Sequence, residues 1–510
     1  MRRAQATRAR AAAPAAAMLL AFVAVSVFGV GCISLEPKLQ LPAPPIPTSW
    51  PIPPTTAEPA GAAATDQGGA STAPDQGIAA APDVGGVAAA ADIGWRDFFA
   101  DERLEQLIAL ALEGNRDFRA TVLNVARFRA FYDIRRADQL PSVDGTVSAA
   151  HTRLSASQTG GDAETVTSYN LEVGVTAYEL DLFGRVRSLS HEALEQYFAT
   201  DENRRGAQLA LIAAVADGYL ALAADRELQR LAEETVQSQE KSFALTEKRH
   251  ELGAVSGLDL AQERTTVESA RVDAARFEGE VARDMNALAL LIGGPIDPAL
   301  LPERFDERVA SIAAPPAGLP SEVLLRRPDV LAAEHVLRAN NASIGAARAA
   351  YFPRISLTAL FGRASDDLSD LFSGGSGTWS FIPAVTVPIF QGGRLRGNRR
   401  AAEVGRDIAV ADYEGAIQTG FREVADALAL DRSLAKQREA QQALTDAAGR
   451  AYALSRERYQ GGRDSYLVAL DSQRIHYGAQ QGLIVIRLAE QRNRVELYRA
   501  LGGGWKETSE

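Results

Sequence analysis

Two stretches of this chain, 209 residues apart, spell one pattern. Phe243-Ala-Leu-Thr-Glu-Lys-Arg249 lines up with Tyr452-Ala-Leu-Ser-Arg-Glu-Arg458, and Val215-Ala-Asp217 with Val424-Ala-Asp426. The same offset pairs Gly253 with Gly462, Leu258 with Leu467, and Gly293-Gly294 with Gly502-Gly503. Upstream, Arg136-Ala137 and Leu140-Pro-Ser-Val143 match Arg348-Ala349 and Phe352-Pro-Arg-Ile355 at an offset of 212. A constant register over so long a span marks a tandem duplication, so one structural unit is built twice.

Proline placement says what that unit contains. Eleven of the 23 prolines lie in residues 35–92, none between Pro141 and Pro295, and none after Pro388. Proline breaks helices, so both empty stretches permit long ones. Arg185–Leu252 could reach ~100 Å as one helix at 1.5 Å per residue. In the second copy Leu467, Leu470, Arg474, Tyr477, Gln481, Ile484, Leu488, Gln491, Val495 and Tyr498 step by threes and fours, the seam of a coiled coil. Its partner carries Val410, Tyr413, Ile417, Phe421, Val424 and Leu428; in the first copy the positions matching the Leu467–Tyr498 seam are smaller, with Leu258, Ala261, Thr265, Val272, Ala275, Ala282 and Ala289. Each copy therefore reads helix, two strands, very long helix, turn, long helix.

The strands alternate. Tyr169, Leu171, Val173, Val175 and Ala177 interleave with Asn170, Glu172, Gly174 and Thr176, and Trp379, Phe381, Val385, Val387 and Ile389 form one face of the fourth strand. Period two with an apolar face suits a transmembrane barrel or a half-buried soluble sheet. Windows of about ten residues are long enough to span a bilayer when tilted. Two hairpins per chain supply only four strands, the smallest barrels have about eight, and open edges are not tolerated in lipid. Several chains must then share one barrel. A surface-anchored coiled-coil scaffold without a channel is the alternative, and a periplasmic enzyme the weaker one.

Charge and chemistry narrow the function. Net charge is −11, and −15 once residues 1–31 are set aside, with no basic tract to hold nucleic acid. Arg2, Arg3, Arg8 and Arg10 precede the apolar run Ala15–Val30, which ends Gly29-Val30-Gly31-Cys32. These are the parts of a secretory signal, with Cys32, the lone cysteine, standing where a bacterial lipoprotein is cut and acylated. Gly29 replaces the Leu favoured three places before that cysteine. One cysteine and five scattered histidines offer no metal site and no internal disulfide. There is no phosphate-binding Gly-rich loop with Lys-Ser/Thr, no second His four residues after His191, and no nucleophile elbow. No catalytic residue and no cofactor are expected.

Several motifs together name a family. Ala91-Asp-Ile-Gly-Trp-Arg-Asp-Phe-Phe99, Tyr178-Glu-Leu-Asp-Leu-Phe-Gly-Arg185, Gly318-Leu-Pro-Ser-Glu322, Arg326-Arg-Pro-Asp329, Ala342-Ser-Ile-Gly-Ala-Ala-Arg-Ala-Ala350 and Ala500-Leu-Gly-Gly-Gly-Trp505 resemble the outer-membrane efflux lipoproteins, the OprM/NodT family of the TolC superfamily. The resemblance runs from about residue 91 to 505. It implies a mixed α/β membrane protein: a homotrimer whose 12-stranded transmembrane β-barrel, four strands per chain, continues into a coiled-coil helical barrel crossing the periplasm. The implied role is a passive, gated exit duct for multidrug export from a Gram-negative bacterium. A periplasmic adaptor (membrane fusion) protein and an inner-membrane RND-type transporter would be its partners.

That resemblance organises the chain. Residues 1–31 are the signal and 32–92 an acylated, proline- and alanine-rich tether, longer than the family leads one to expect. Repeat 1 covers 93–294, with a β-hairpin near 141–182 and a helical hairpin near 185–292. An equatorial connection follows at 295–330. Repeat 2 covers 331–503, with hairpins near 353–390 and 394–501, before a tail at 504–510. Tyr169, Leu171, Val173, Val175, Trp379, Phe381, Val385 and Val387 are expected to face lipid. The helix-tip turns at Gly253, Gly257, Gly461 and Gly462 are the expected adaptor contacts. Leu467 would form an apolar constriction of the periplasmic gate, Asp471 an acidic ring and Arg474 a polar latch. Carboxylates ~8 Å apart repel by roughly 2 kcal/mol per pair at an effective dielectric of 20, which Arg474 on the same helix face would offset.

Overall fold

The computed structural model describes residues 34–47, 50, 93–305 and 321–504. Cys32 and most of the tether lie outside them. The chain divides into two compact units: residues 1–43, 124–201 and 332–413 form one, and 44–123, 202–331 and 414–510 the other.

In chain order the first copy holds α1 (Trp95–Phe98), α2 (Glu102–Gly114), α3 (Arg116–Ala137), β1 (Asp144–Leu154), α4 (Ala156–Thr159), β2 (Glu164–Glu179), α5 (Arg185–Glu251) and α6 (Gly257–Ile292). The second holds α7 (Pro328–Ala349), β3 (Arg354–Ser365), β4 (Gly377–Thr386), α8 (Arg394–Gln460) and α9 (Tyr466–Ala500). The duplication is metric as well as textual. α3 and α7 both have 22 residues, and α5 and α8 both have 67.

Local chemistry explains the ends. α2 starts where Asp101 accepts from the Arg103 backbone N–H at 3.0 Å. Its Leu104, Leu107, Ile108 and Ala111, spaced by three and four, are all buried. Each of the three larger side chains contributes roughly 1.5–3 kcal/mol by leaving water, and an Asp in place of Leu107 would remove the docking face. α6 opens on a reciprocal capping box between Ser256 and Asp259 and closes on Gly293 at φ +83°.

The core of the second unit gathers Trp95, Phe98, Phe99, Leu107, Ile108, Tyr219, Leu220, Leu288 and Tyr498. Phe98 stacks on Tyr498 with centroids 3.8 Å apart, and the Tyr219 hydroxyl donates to Asp101 at 2.7 Å. One window of α5 is apolar enough to cross a membrane, but 67% of it is buried, so it serves as core.

The first unit contains the sheet, antiparallel throughout in the order β1-β2-β3-β4. One detail departs from the sequence reading. The apolar alternation of β2 stops at Val175, where a bulge shifts the register before Tyr178. Ala177 sits at φ +55° with its N–H bound to Thr358 Oγ1 at 3.0 Å, so it does not continue the apolar face.

Candidate channel wall and periplasmic gate

The sheet register brings the expected lipid-facing residues together. Val147 lies opposite Leu171, Ala149 opposite Tyr169, and Val173 opposite Phe361. Across the next pair Phe361 meets Trp379, Ala359 meets Phe381, and Ile355 meets Val385. Directly opposed residues share a face, so Tyr169, Leu171, Val173, Val175, Trp379, Phe381 and Val385 line one side. Val387 falls just beyond β4 and is exposed. The other face carries Thr146, Ser148, Asn170, Glu172, Thr358, Thr378 and Ser380. Trp379 is 77% exposed and Phe361 74%, so this chain by itself covers neither.

Gly174 and Gly362 allow β2 and β3 to pair. A Cβ on Gly174 would stand 2.1 Å from the Ala359 carbonyl oxygen, and one on Gly362 2.1 Å from that of Leu171. No larger residue fits either place without moving backbone.

The two helix tips share one design. Gly253 and Gly462 occupy the left-handed region at φ +73° and +68°, each donating its N–H three residues back, to His250 and Tyr459. Gly257 opens α6 after the Ser256 cap, and Gly461 still donates four residues back to Glu457; neither has positive φ. The second tip is also braced by Arg458, whose guanidinium donates to both Asp464 oxygens at 2.6 and 2.9 Å.

From that tip α9 presents two stripes. Tyr466, Ala469 and Leu470 are buried, while Leu467, Asp471 and Arg474 lie on the exposed side. The three expected gate residues therefore share a face. Among the described residues no ion pair joins Asp471 to Arg474 within one chain.

Sequence reasoning missed a charged cluster in the first unit. The His191 ring sits 3.1 Å from Glu36 Oε2 through Nδ1 and 3.3 Å from Glu195 Oε1 through Nε2. His335 Nδ1 lies 2.6 Å from Glu195 Oε2. Hydrogen bonds to Glu195 and Glu36 push His191 up to about 10. Burial opposes ionisation of Glu195, but the two histidines outweigh it and hold it at about 2. The segment around Glu36 is tied further by Asn341 Nδ2, which donates to the Pro37 carbonyl at 2.8 Å. The spacing of His191 and Glu195 hinted at a pair; nothing in sequence pointed to Glu36 or His335.

In the second unit Arg327, 5% exposed, donates to Asp329 and Glu423 at 2.8 Å and to the Ala500 carbonyl. Burial raises Asp217 on α5 to about 6. Among the described residues no group of three His, Cys, Asp or Glu is placed to hold a metal ion. What the arrangement offers is a wall, a pair of tips and an exposed stripe of Leu467, Asp471 and Arg474.

A family model described as outer membrane efflux protein matches residues 107–294 and 319–503, one half in each copy. The chain belongs to that family. This efflux protein is 45% identical over 489 residues to the probable efflux pump outer membrane protein TtgC of Pseudomonas putida, with 95% of both chains covered. It is 41% identical over 481 residues to the outer membrane protein OprJ of Pseudomonas aeruginosa, with 94% of each covered. Its fold matches the open state of the Neisseria gonorrhoeae MtrE outer membrane channel at a TM-score of 0.79 and 35% identity, covering 94% of this chain and 100% of that one. The efflux protein is thus a non-enzymatic outer-membrane channel that extends into the periplasm as a component of an efflux pump. The internal repeat and four antiparallel strands per chain agree with the sequence reading.

Proposed function

We propose that three copies of the efflux protein close one 12-stranded barrel and one helical tube, forming the passive exit duct of a tripartite pump. The observation that carries this reading is the sheet's pair of open edges. β1 pairs with β2 alone and β4 with β3 alone among the described residues. In lipid those unpaired groups must be satisfied. Four alternating strands leave edges of opposite direction, so β4 of one copy meets β1 of the next antiparallel, and copies add without a parallel seam. The apolar face then meets lipid and the Asn170–Glu172 face meets water.

Leu467, Asp471 and Arg474 act as the periplasmic gate, with Leu467 narrowing the bore and Asp471 forming a ring of three carboxylates. A periplasmic adaptor and an inner-membrane RND-type transporter engage the tips at Gly253, Gly257, Gly461 and Gly462 and shift the closed state toward the open one. Cys32 carries the acyl chains that add a membrane anchor to the barrel. Solutes diffuse outward through water, so selection belongs to the pump; the antibiotic efflux for which one relative is named extends to this chain as a cargo class.

The mass of the detergent-solubilised particle tests the assembly. Protein mass of three chains from Cys32 onward is expected, and a stable monomer in plain buffer overturns the duct. Radioactive palmitate tests the anchor: label on the wild type and none on Cys32→Ala is expected, and equal label on both refutes it.

A further inference from the structure

α3 and α7 are the same helix of the repeated unit, and they are housed differently. α7 has Leu337, Ala342 and Ile344 fully buried, whereas α3 has no buried residue. α7 leans on α5. A Cβ on Gly345 would stand 2.6 Å from Ser188 Oγ, and His335 Nδ1 lies 2.6 Å from Glu195 Oε2. Where the helices run into the sheet, Phe352 stacks on Phe183 with centroids 4.7 Å apart, and the Leu180 N–H donates to the Ile355 carbonyl at 2.9 Å. These contacts join copy two to copy one.

The repeat offsets, 212 from α3 to α7 and 209 from α5 to α8, carry each contact to a second pair of residues. Ser188 with Gly345 becomes Gly397 with Asp133, and Glu195 with His335 becomes Val404 with Leu123. Phe183 with Phe352 becomes Gly392 with Leu140, and Leu180 with Ile355 becomes Ile389 with Val143. The members of each pair change together. In the first, the glycine moves to the opposite helix; in the second, an ion pair becomes two aliphatic side chains; in the third, two stacked rings become leucine against glycine. Surface positions that never meet have no reason to change in step. Yet within one chain they are bare. Leu123, Leu140, Val143, Ile389 and Val404 are all exposed, and a Cβ on Gly392 or Gly397 would meet nothing within 4 Å.

We propose that this face, from α3 to the start of β1, docks on α8 of a second copy of the chain, with Asp133 over Gly397 and Leu123 against Val404. The docking rests on the assembly of three copies into one tube. The step that sets copy two beside copy one then sets the next chain's copy one beside copy two. Such a head-to-tail contact between two different surfaces can close into a ring. The two seams differ in chemistry. Within a chain the contact holds the charged relay of His191, Glu195 and His335. Between chains the matched Arg400, Val404 and Leu123 cannot form that relay, and apolar burial takes its place.

Cysteine cross-linking of the detergent-solubilised full chain tests the seam. The close approach of Gly345 to Ser188 suits the short Cβ separation that a disulfide requires. Asp133→Cys with Gly397→Cys, and separately Val143→Cys with Ile389→Cys, should each give linked dimers and trimers on non-reducing denaturing gels. Wild type, which retains Cys32, and each single substitution should run as monomers. So should Asp133→Cys with Ile408→Cys, whose second position lies about 16 Å further along α8. Leu123→Glu added to the first pair should slow linking by about tenfold or more, because an unpaired carboxylate then enters an aliphatic contact. Val404→Lys added to that variant should restore it. A trimer-sized particle in which neither pair links overturns the seam and leaves the trimer standing, another segment then covering α3. A monomer-sized particle overturns both. Linking that ignores Leu123→Glu overturns the contact with Val404.

Discussion

His191 Nδ1 stands 3.1 Å from Glu36 Oε2, joining residues 155 positions apart. Glu36 is four residues beyond Cys32, so the start of the tether is a docked part of the first unit. The bond belongs to a relay in which Glu195 takes His191 on one oxygen and His335 on the other.

That relay fixes a pH dependence. His191 is raised from 6.5 to about 10, so its stabilising contribution is complete below pH 6.5 and is lost as pH climbs toward 10. Glu195 is lowered from 4.5 to about 2, so its contribution is complete above pH 4.5 and is lost as pH falls toward 2. Docking of residues 34–43 is firmest between those limits. Hydrogen exchange, corrected for intrinsic rates, should show protection there falling from pH 6.5 to 9.5. Glu36→Gln should lower protection at pH 6 and flatten the slope; an unchanged slope in that variant refutes the relay.

Arg327→Met leaves Glu423 only the longer pair with Arg499 at 3.9 Å and takes the donor from the Ala500 carbonyl. Glu423 is partly exposed and keeps Arg499, so the loss stays below the about 3–5 kcal/mol that breaking a fully buried pair from one side costs. Thermal unfolding of the detergent-solubilised protein should begin at markedly lower temperature than wild type. Arg327→Met matching wild type would mean that solvent already satisfies this hub.

Gly174→Ala and Gly362→Ala each place a methyl group 2.1 Å from a backbone oxygen of the neighbouring strand. Because backbone must move, pairing of β2 with β3 fails outright in place of weakening by degrees. Heat-modifiable migration on gels, the sign of an intact barrel, should disappear in either variant and persist in Gly374→Ala, where an added Cβ meets nothing within 4 Å.

Leu467→Ala combined with Asp471→Ala removes both the apolar constriction and the acidic ring assigned to α9. Single-channel conductance in planar bilayers should rise several-fold over wild type. Unchanged conductance removes these two residues from the gate while leaving the channel itself intact.

The sequence by itself determined the repeated plan: proline-free stretches set the helix lengths, the 209-residue offset reappeared as two 67-residue helices, and period-two alternation placed Tyr169–Val175 and Trp379–Val385 on one face. These are local properties, written in neighbouring residues. Tertiary structure alone decided the bulge that ends the β2 alternation before Ala177, the docking of Glu36 on His191, and the meeting of Arg327 with Glu423 and the Ala500 carbonyl. Each of these depends on which distant segment packs alongside, and a single chain's periodicity carries no record of its neighbour's side chains.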